Sequence, residues 1–244
     1  IGSRLVGSEM CIRDRYNLKK GLNIPISGSP EGTVSDSTKI SHVGILGPDY
    51  IGMKPTMMVE VGDQVKIGSV LFEDKKNPGV FFTSPAGGLI KSINRGEKRR
   101  FISLEIEVAD QENQVEILND SDEILLRNLS KYGVINNFRT RPFNKTPKPN
   151  DIPDDIFVNV CDTNPLSVDP YIYLQHEIDL FNRSLIKLKE IYNCNIHVCY
   201  QNNDFNNFID GINYYNFKGP HPAGLSGTHI HLSLIHISEP TRRD

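Results

Sequence analysis

The 244-residue chain has no long apolar run, few cysteines and no excess of basic charge. A bilayer-crossing helix needs roughly 20 consecutive apolar residues, and no stretch approaches that. Membrane association is therefore expected to run through a partner. The 27 Lys and Arg against 30 Asp and Glu leave a net charge of −3, which argues against nucleic acid as a ligand. Of the four cysteines, Cys11 lies near the start. Cys161, Cys194 and Cys199 form an odd set without metal-site spacing, which fits a reducing compartment. Phosphate-binding signatures are missing as well, since neither GxGxxG nor GxxxxGK followed by Ser or Thr occurs. Nor does any internal repeat or low-complexity segment.

What is present is punctuation. Between Asp49 and Gly88 short apolar runs alternate with Gly, Asp and Pro at tight intervals. Val59-Glu60-Val61 and Ser69-Val70-Leu71-Phe72 are strand-like by β-branched and aromatic content, and Gly62-Asp63 between them predicts a hairpin turn. Lys76-Asn77-Pro78-Gly79 presets φ at Pro and supplies Gly where a type II turn needs positive φ. Val80-Phe81-Phe82-Thr83 then leaves as a strand, and Leu89 to Ile93 is the next. Strands this short suit a small barrel or two-sheet sandwich, not a parallel sheet with long crossovers.

The ends read differently from the middle. Residues 1–16 and 233–244 look like translated sequencing-adaptor sequence and are expected to be non-native tails, with the chain between them a fragment open at its C-terminal side. Removing them takes 5 of the 27 basic and 4 of the 30 acidic residues, so residues 17–232 carry 22 against 26, a net −4. Residues 17–110 form the β-rich domain. Residues 111–155 hold a short helix and a proline-rich connection. Asp120 to Glu123, ahead of Ile124, Leu125, Leu126 and Leu129, predicts the cap of that helix. Pro142, Pro147, Pro149 and Pro153 predict an extended linker or a strip hugging the surface.

Residues 156–232 carry an α/β pattern. Ile156 to Cys161 is a buried-strand candidate, and Asp169-Pro170 offers an N-cap followed by Pro at the first helical position. Leu174, Ile178, Phe181, Leu185, Leu188 and Tyr192 recur every three or four residues, the stripe of an amphipathic helix. Ile196 to Tyr200 restores a strand. Strand, helix and strand over this length predict a parallel βαβ unit.

Several segments carry a resemblance. KKGLNIPISGSPEG, DYIGMKPTMMVEVGDQVKIGSVLFEDKKNPGVFF, INRGEKRR, FRTRPF, DTNPLSVDP and GPHPAGLSGTHIH are similar, in this order, to landmarks of the A subunit of the Na+-translocating NADH:quinone oxidoreductases of bacterial respiratory membranes. The resemblance covers residues 17–232, about the N-terminal half of a family member. It implies an α+β multidomain chain, a barrel-sandwich hybrid followed by an incomplete Rossmann-like α/β domain related to the NADH-binding subunit of complex I. It also implies a peripheral subunit on the cytoplasmic face of the inner membrane. There it would sit in a six-subunit complex, near ubiquinone and against the membrane-embedded B subunit. Flavins and the iron–sulfur centre reside in other subunits of that family, so no cofactor is expected on this chain, and NADH is used by the complex.

Candidate site residues are few. Lys75 follows Glu73-Asp74 at a hairpin tip, about where lipoyl and biotinyl carriers of the same hybrid fold present their modified lysine; a solvated turn lysine is the simpler expectation. Lys54 lies in Met53-Lys54-Pro55, which lacks the second Met of a biotin site. Gly219-Pro220-His221-Pro222-Ala223-Gly224 resembles a phosphate-cradling loop, but its prolines remove donors and a structural or subunit-facing role is expected. His229 and His231 would share one face of a strand, yet no further ligands accompany them or His221, so no metal is expected. Cys194 and Cys199 bracket a strand as small core residues. Nothing resembles a nucleophile with its base. The alternatives to a non-catalytic subunit are thus a carrier domain and a flavin- or NADH-binding oxidoreductase component.

Overall fold

The computed structural model describes residues 13–28, 30–34, 39–109, 126–201, 205–206 and 208–238. Contacts divide the chain into two compact units, Ser37–Ile152 and the combination of Ile1–Asp36 with Pro153–Asp244. The chain enters through strand β1 (Arg13–Asn17), which belongs to the second of these.

The first unit is built from β2 (His42–Leu46), β3 (Pro55–Met57), β4 (Gln64–Val65), β5 (Val70–Asp74), β6 (Phe81–Thr83), β7 (Gly88–Arg95) and β8 (Phe101–Val108). They form two antiparallel sheets, ordered β2-β8-β7-β4 and β3-β5-β6. Alternation sends Val80 and Phe82, and Leu104 and Ile106, inward, while the pairing of β5 with β6 is irregular between Val70 and Phe72, where adjacent Leu71 and Phe72 are both buried. Leu71, Phe72, Val80, Phe82, Ile90, Leu104 and Ile106 are buried in one cluster. Phe72 stacks on Phe82 with ring centres 4.6 Å apart and meets Phe101 edge-on at 5.3 Å. Such pairs add to the gain from removing aromatic area from water.

The β5–β6 hairpin forms as the turn residues require, with Gly79 at φ +88°. The expected strand at Val59-Glu60-Val61 does not form. Glu60 N–H donates to Asp63 Oδ2 and Asp63 N–H donates to Glu60 O, which closes the stretch into a turn. The Glu60 amide goes to a local cap instead of a ladder, and β5 pairs with β3 and β6.

Helix α1 (Leu126–Lys131) follows; the expected cap, Asp120 to Glu123, and Ile124 and Leu125 lie outside the described residues. The proline-rich stretch then hugs the β unit. Asn136 Nδ2 donates to Phe81 O, Arg139 lies over the Tyr50 ring at 5.0 Å, and Asn77 Nδ2 donates to Pro147 O.

The second unit holds β9 (Asp155–Val160), α2 (Tyr171–Leu174), α3 (Ile178–Tyr192), β10 (Asn195–Tyr200), β11 (Asn213–Lys218) and α4 (Ser226–Ser238). Its four-stranded sheet runs β1-β11-β10-β9 and every pairing is parallel. Asp169 Oδ1 accepts the Tyr171 N–H, the expected cap. The predicted long helix is interrupted at Glu177, whose φ of −124° and ψ of 27° separate α2 and a short 3-10 turn from α3. Within α3 the inward stripe is the expected one, with Leu185 and Tyr192 buried. On one face of the sheet Phe157 stacks on His197, and Tyr16 on Phe217.

Two expected boundaries fall inside elements. Arg13 to Tyr16, placed by sequence in the N-terminal tail, belong to β1, and residues 18–34 group with the α/β unit and not with the β-rich one. Leu18 N–H extends the attachment by donating to Lys218 O. At the other end α4 crosses residue 233. His229 and His231 therefore lie on a helix, where neighbours two apart face different directions, with His229 buried and His231 exposed.

Truncating the stacked core should be costly. Phe82→Ala is expected to destabilise the β unit by about 3–5 kcal/mol, read as a lower denaturant midpoint by circular dichroism, with the α/β unit's transition unchanged.

Candidate functional site

Parallel α/β sheets bind ligands beyond the carboxyl ends of their strands, and it is there that the loop flagged by sequence lies. β9 is followed by Cys161-Asp162-Thr163, and residues 219–225 fold over this segment. Thr163 Oγ1 accepts the Gly224 N–H at 2.9 Å and lies 3.1 Å from His221 Nδ1. Asn159 Nδ2 donates to Gly224 O at 2.9 Å, while its Oδ1 accepts from both the Cys161 amide and the Cys161 thiol. Gly224 is required by the closeness of this approach: a Cβ there would sit 2.4 Å from Thr163 N.

The loop's amides are turned inward. His221 N–H donates to Asn23 Oδ1, Ala223 N–H to Pro220 O, Gly224 N–H to Thr163 and Leu225 N–H to Pro222 O. Pro220 and Pro222 have no N–H to offer. An anion cradle needs several amides converging on one external point, and these four are already engaged. His221 O also accepts from the Leu22 N–H, so the loop is held to the extended segment that follows β1.

Beneath the loop, His229 is fully buried and its Nε2–H donates to Ala223 O at 2.7 Å. Cys161 Sγ is 3.5 Å from the same nitrogen. Burial pushes the His229 pKa down to about 4, against the opposing pull of the Ala223 carbonyl. Burial, then Asp162 and Asp169, push the Cys161 thiol up to about 12. A nucleophilic cysteine needs its thiolate stabilised, and here both groups are held neutral. At the rim, burial draws the Asp162 carboxyl upward, but hydrogen bonds from Ser167 and Asn164 and the nearby His221 outweigh it and hold the pKa low. Among the described residues no group of three or more His, Cys, Asp or Glu could hold a metal ion.

Sequence reasoning singled out Gly219, His221 and Gly224 as candidates but not Thr163 and Asn159, whose side chains bond the loop, nor Asp162 at its rim. The signal was position, with Asp162 and Thr163 just past a strand that opens a parallel unit and Asn159 near that strand's end. It also missed a row at the opposite end of the sheet, where His197 bridges Asp155 Oδ1 at 2.8 Å and Tyr215 Oη at 3.3 Å. Burial raises the Tyr215 pKa to about 12. Cys194 and Cys199 are buried, free thiols, as expected.

In the β unit Lys54 and Lys75 are brought together by backbone. Lys75 N–H donates to Lys54 O, and the buried Asp74 carboxylate accepts from the Lys54 and Lys76 amides. Lys54 and Lys75 are both exposed. A swinging arm needs a free-standing turn, whereas this one is anchored by Asn77 to Pro147 and has Pro149 Cγ 3.2 Å from the position of a Gly79 Cβ.

Gly224→Ala is expected to lower stability by more than about 2 kcal/mol, while Gly227→Ala, whose Cβ would meet open space, leaves the melting temperature the same or higher. For pH the His229 imidazole is harder to protonate folded than unfolded, so the unfolded state binds more protons between about pH 6.5 and 4. Stability present above about pH 6.5 is lost as pH falls through that window, approaching about 3 kcal/mol at its acid end; His229→Gln should flatten the profile.

Comparison with known proteins accounts for both units. Residues 16–109 match the family model described as the NqrA N-terminal barrel-sandwich hybrid domain, and residues 120–240 match the NqrA second alpha/beta domain. The chain is 46% identical over 224 residues to the A subunit of the Na(+)-translocating NADH-quinone reductase of Yersinia pseudotuberculosis serotype O:1b (strain IP 31758). Identity is 43% over 224 residues with the protein of the same name from Histophilus somni (strain 2336), and 46% over 229 residues with that of Neisseria meningitidis serogroup B (strain ATCC BAA-335 / MC58). Each comparison covers 88% of this chain and 50% of the relative, so the chain spans about half the length of the curated relatives it matches. With both domain models matched in order, the chain belongs to the NqrA family, the A subunits of the Na+-translocating NADH-quinone reductases.

Proposed function

We propose that this chain is the N-terminal half of the peripheral, non-catalytic A subunit of a respiratory complex that passes electrons from NADH to ubiquinone and exports Na+. The observation that carries this reading is the collinear match of both domains to one family. Within that complex the protein works through its surfaces, docking at the cytoplasmic face on the membrane-embedded B subunit, and influences quinone access. No helix among the described residues is long and apolar enough to cross a membrane, which supports a peripheral position. The inward-turned amides of the 219–225 loop and the neutral Cys161–His229 pair support a polypeptide without its own flavin, nucleotide or covalent chemistry. The anchored tip carrying Lys75 weighs against a carrier domain.

The full-length protein tests this directly. It is expected to copurify with the membrane subunits and, added to membranes that lack it, to restore Na+-dependent ubiquinone reduction. The purified polypeptide should have the mass of its sequence, with no adduct on Lys75, and show no flavin absorbance. Stoichiometric flavin in that preparation would overturn the cofactor-free assignment and favour the flavin-binding alternative.

A further inference from the structure

The turn between β7 and β8 concentrates positive charge on a chain that is otherwise acidic. Arg95, Lys98, Arg99 and Arg100 fall within six residues that contain one acid, Glu97, a local excess of +3 against −3 for the whole chain. All four residues are exposed, and none forms an ion pair with a described residue. The backbone makes the arrangement unusual. Arg100 N–H donates to Glu97 O, and the two central residues, Lys98 at φ 54° and Arg99 at φ 60°, are both left-handed. That is a type I′ turn, whose central positions normally hold Asn and Gly. Here two long cations occupy them at a conformational cost that the hairpin itself does not require. Beside the turn Ile102 stands 44% exposed, with Cδ1 3.0 Å from the position of a Gly96 Cβ.

We propose that this hairpin tip is a peripheral contact for an anionic lipid surface. Four cations without acidic partners among the described residues, spread around a narrow turn, suit many mobile headgroups better than one stereospecific partner, and an adjacent exposed isoleucine suits the boundary beneath them. The choice of a lipid surface rests on the membrane-complex reading. It amends the expectation that membrane association runs wholly through a protein partner.

The test uses vesicle co-sedimentation of this chain. Binding is expected to vesicles containing phosphatidylglycerol at low salt, not to pure phosphatidylcholine, and to disappear near about 0.5 M salt, where the Debye length shrinks to roughly 4 Å. Lys98→Asn with Arg99→Gly installs the favoured type I′ pair while deleting two charges, so the fold is kept. At about fivefold per charge, binding should weaken roughly thirtyfold. A control with the same net charge, Lys66→Gln with Lys187→Gln, should bind as the unaltered chain does. Equal binding to neutral vesicles, or equal loss in the control, would overturn the proposal. So would a tip variant that keeps its lipid binding. If neither chain binds vesicles, and the tip variant of the full-length protein instead loses the membrane subunits on copurification, the hairpin meets protein and the lipid assignment is wrong. Failure of copurification by the unaltered protein would instead count against the complex itself.

Discussion

The Thr163 hydroxyl is the point on which the α/β unit's chemistry turns. By accepting the Gly224 amide and facing His221 Nδ1, it ties the loop to the segment that follows β9. A loop of the same composition with free amides would be an anion site. Thr163 with Asn23, the Pro220 and Pro222 carbonyls and the two prolines themselves together make this loop a structural one. The buried pair beneath it follows the same logic, because a neutral imidazole and a neutral thiol are the low-cost forms in an apolar setting.

A comparable economy operates in the β unit. The buried Asp74 carboxylate satisfies the Lys54 and Lys76 amides, so two loops far apart in sequence share one acceptor. Charge-assisted bonds of this kind are stronger than neutral ones, and they hold the hairpin tip in register with the strand beside it. The result keeps the outline of a carrier-type turn while the surrounding strip removes its freedom.

Much of this was legible in the sequence. Short punctuated runs gave a two-sheet body, and the three-to-four spacing of Ile178, Phe181, Leu185 and Tyr192 gave α3 with its correct inward face. The failures have local causes. Val59-Glu60-Val61 looks like a strand, but the Asp63 carboxylate offers its backbone a nearer acceptor, a competition that propensity does not register. The break at Glu177 leaves the apolar period intact, so periodicity passes over it. His229 and His231 read as sharing one face of a strand because His alternates with apolar residues there, yet the segment is helical and carries His229 inward. Asp162 and Thr163 open the DTNPLSVDP segment, but neither they nor Asn159 carry a chemical motif that points to the loop. Their importance comes from what the fold places opposite them.

The hydrogen bond from Asn77 to Pro147 joins residues 70 positions apart. During synthesis the β5–β6 hairpin leaves the ribosome long before the strip that will cover its tip. Both sheets can therefore assemble while the tip is still bare, and the strip arrives as a latch once residue 149 has emerged. Translation order itself thus makes the anchoring of the Lys75 turn a late event in the life of the polypeptide.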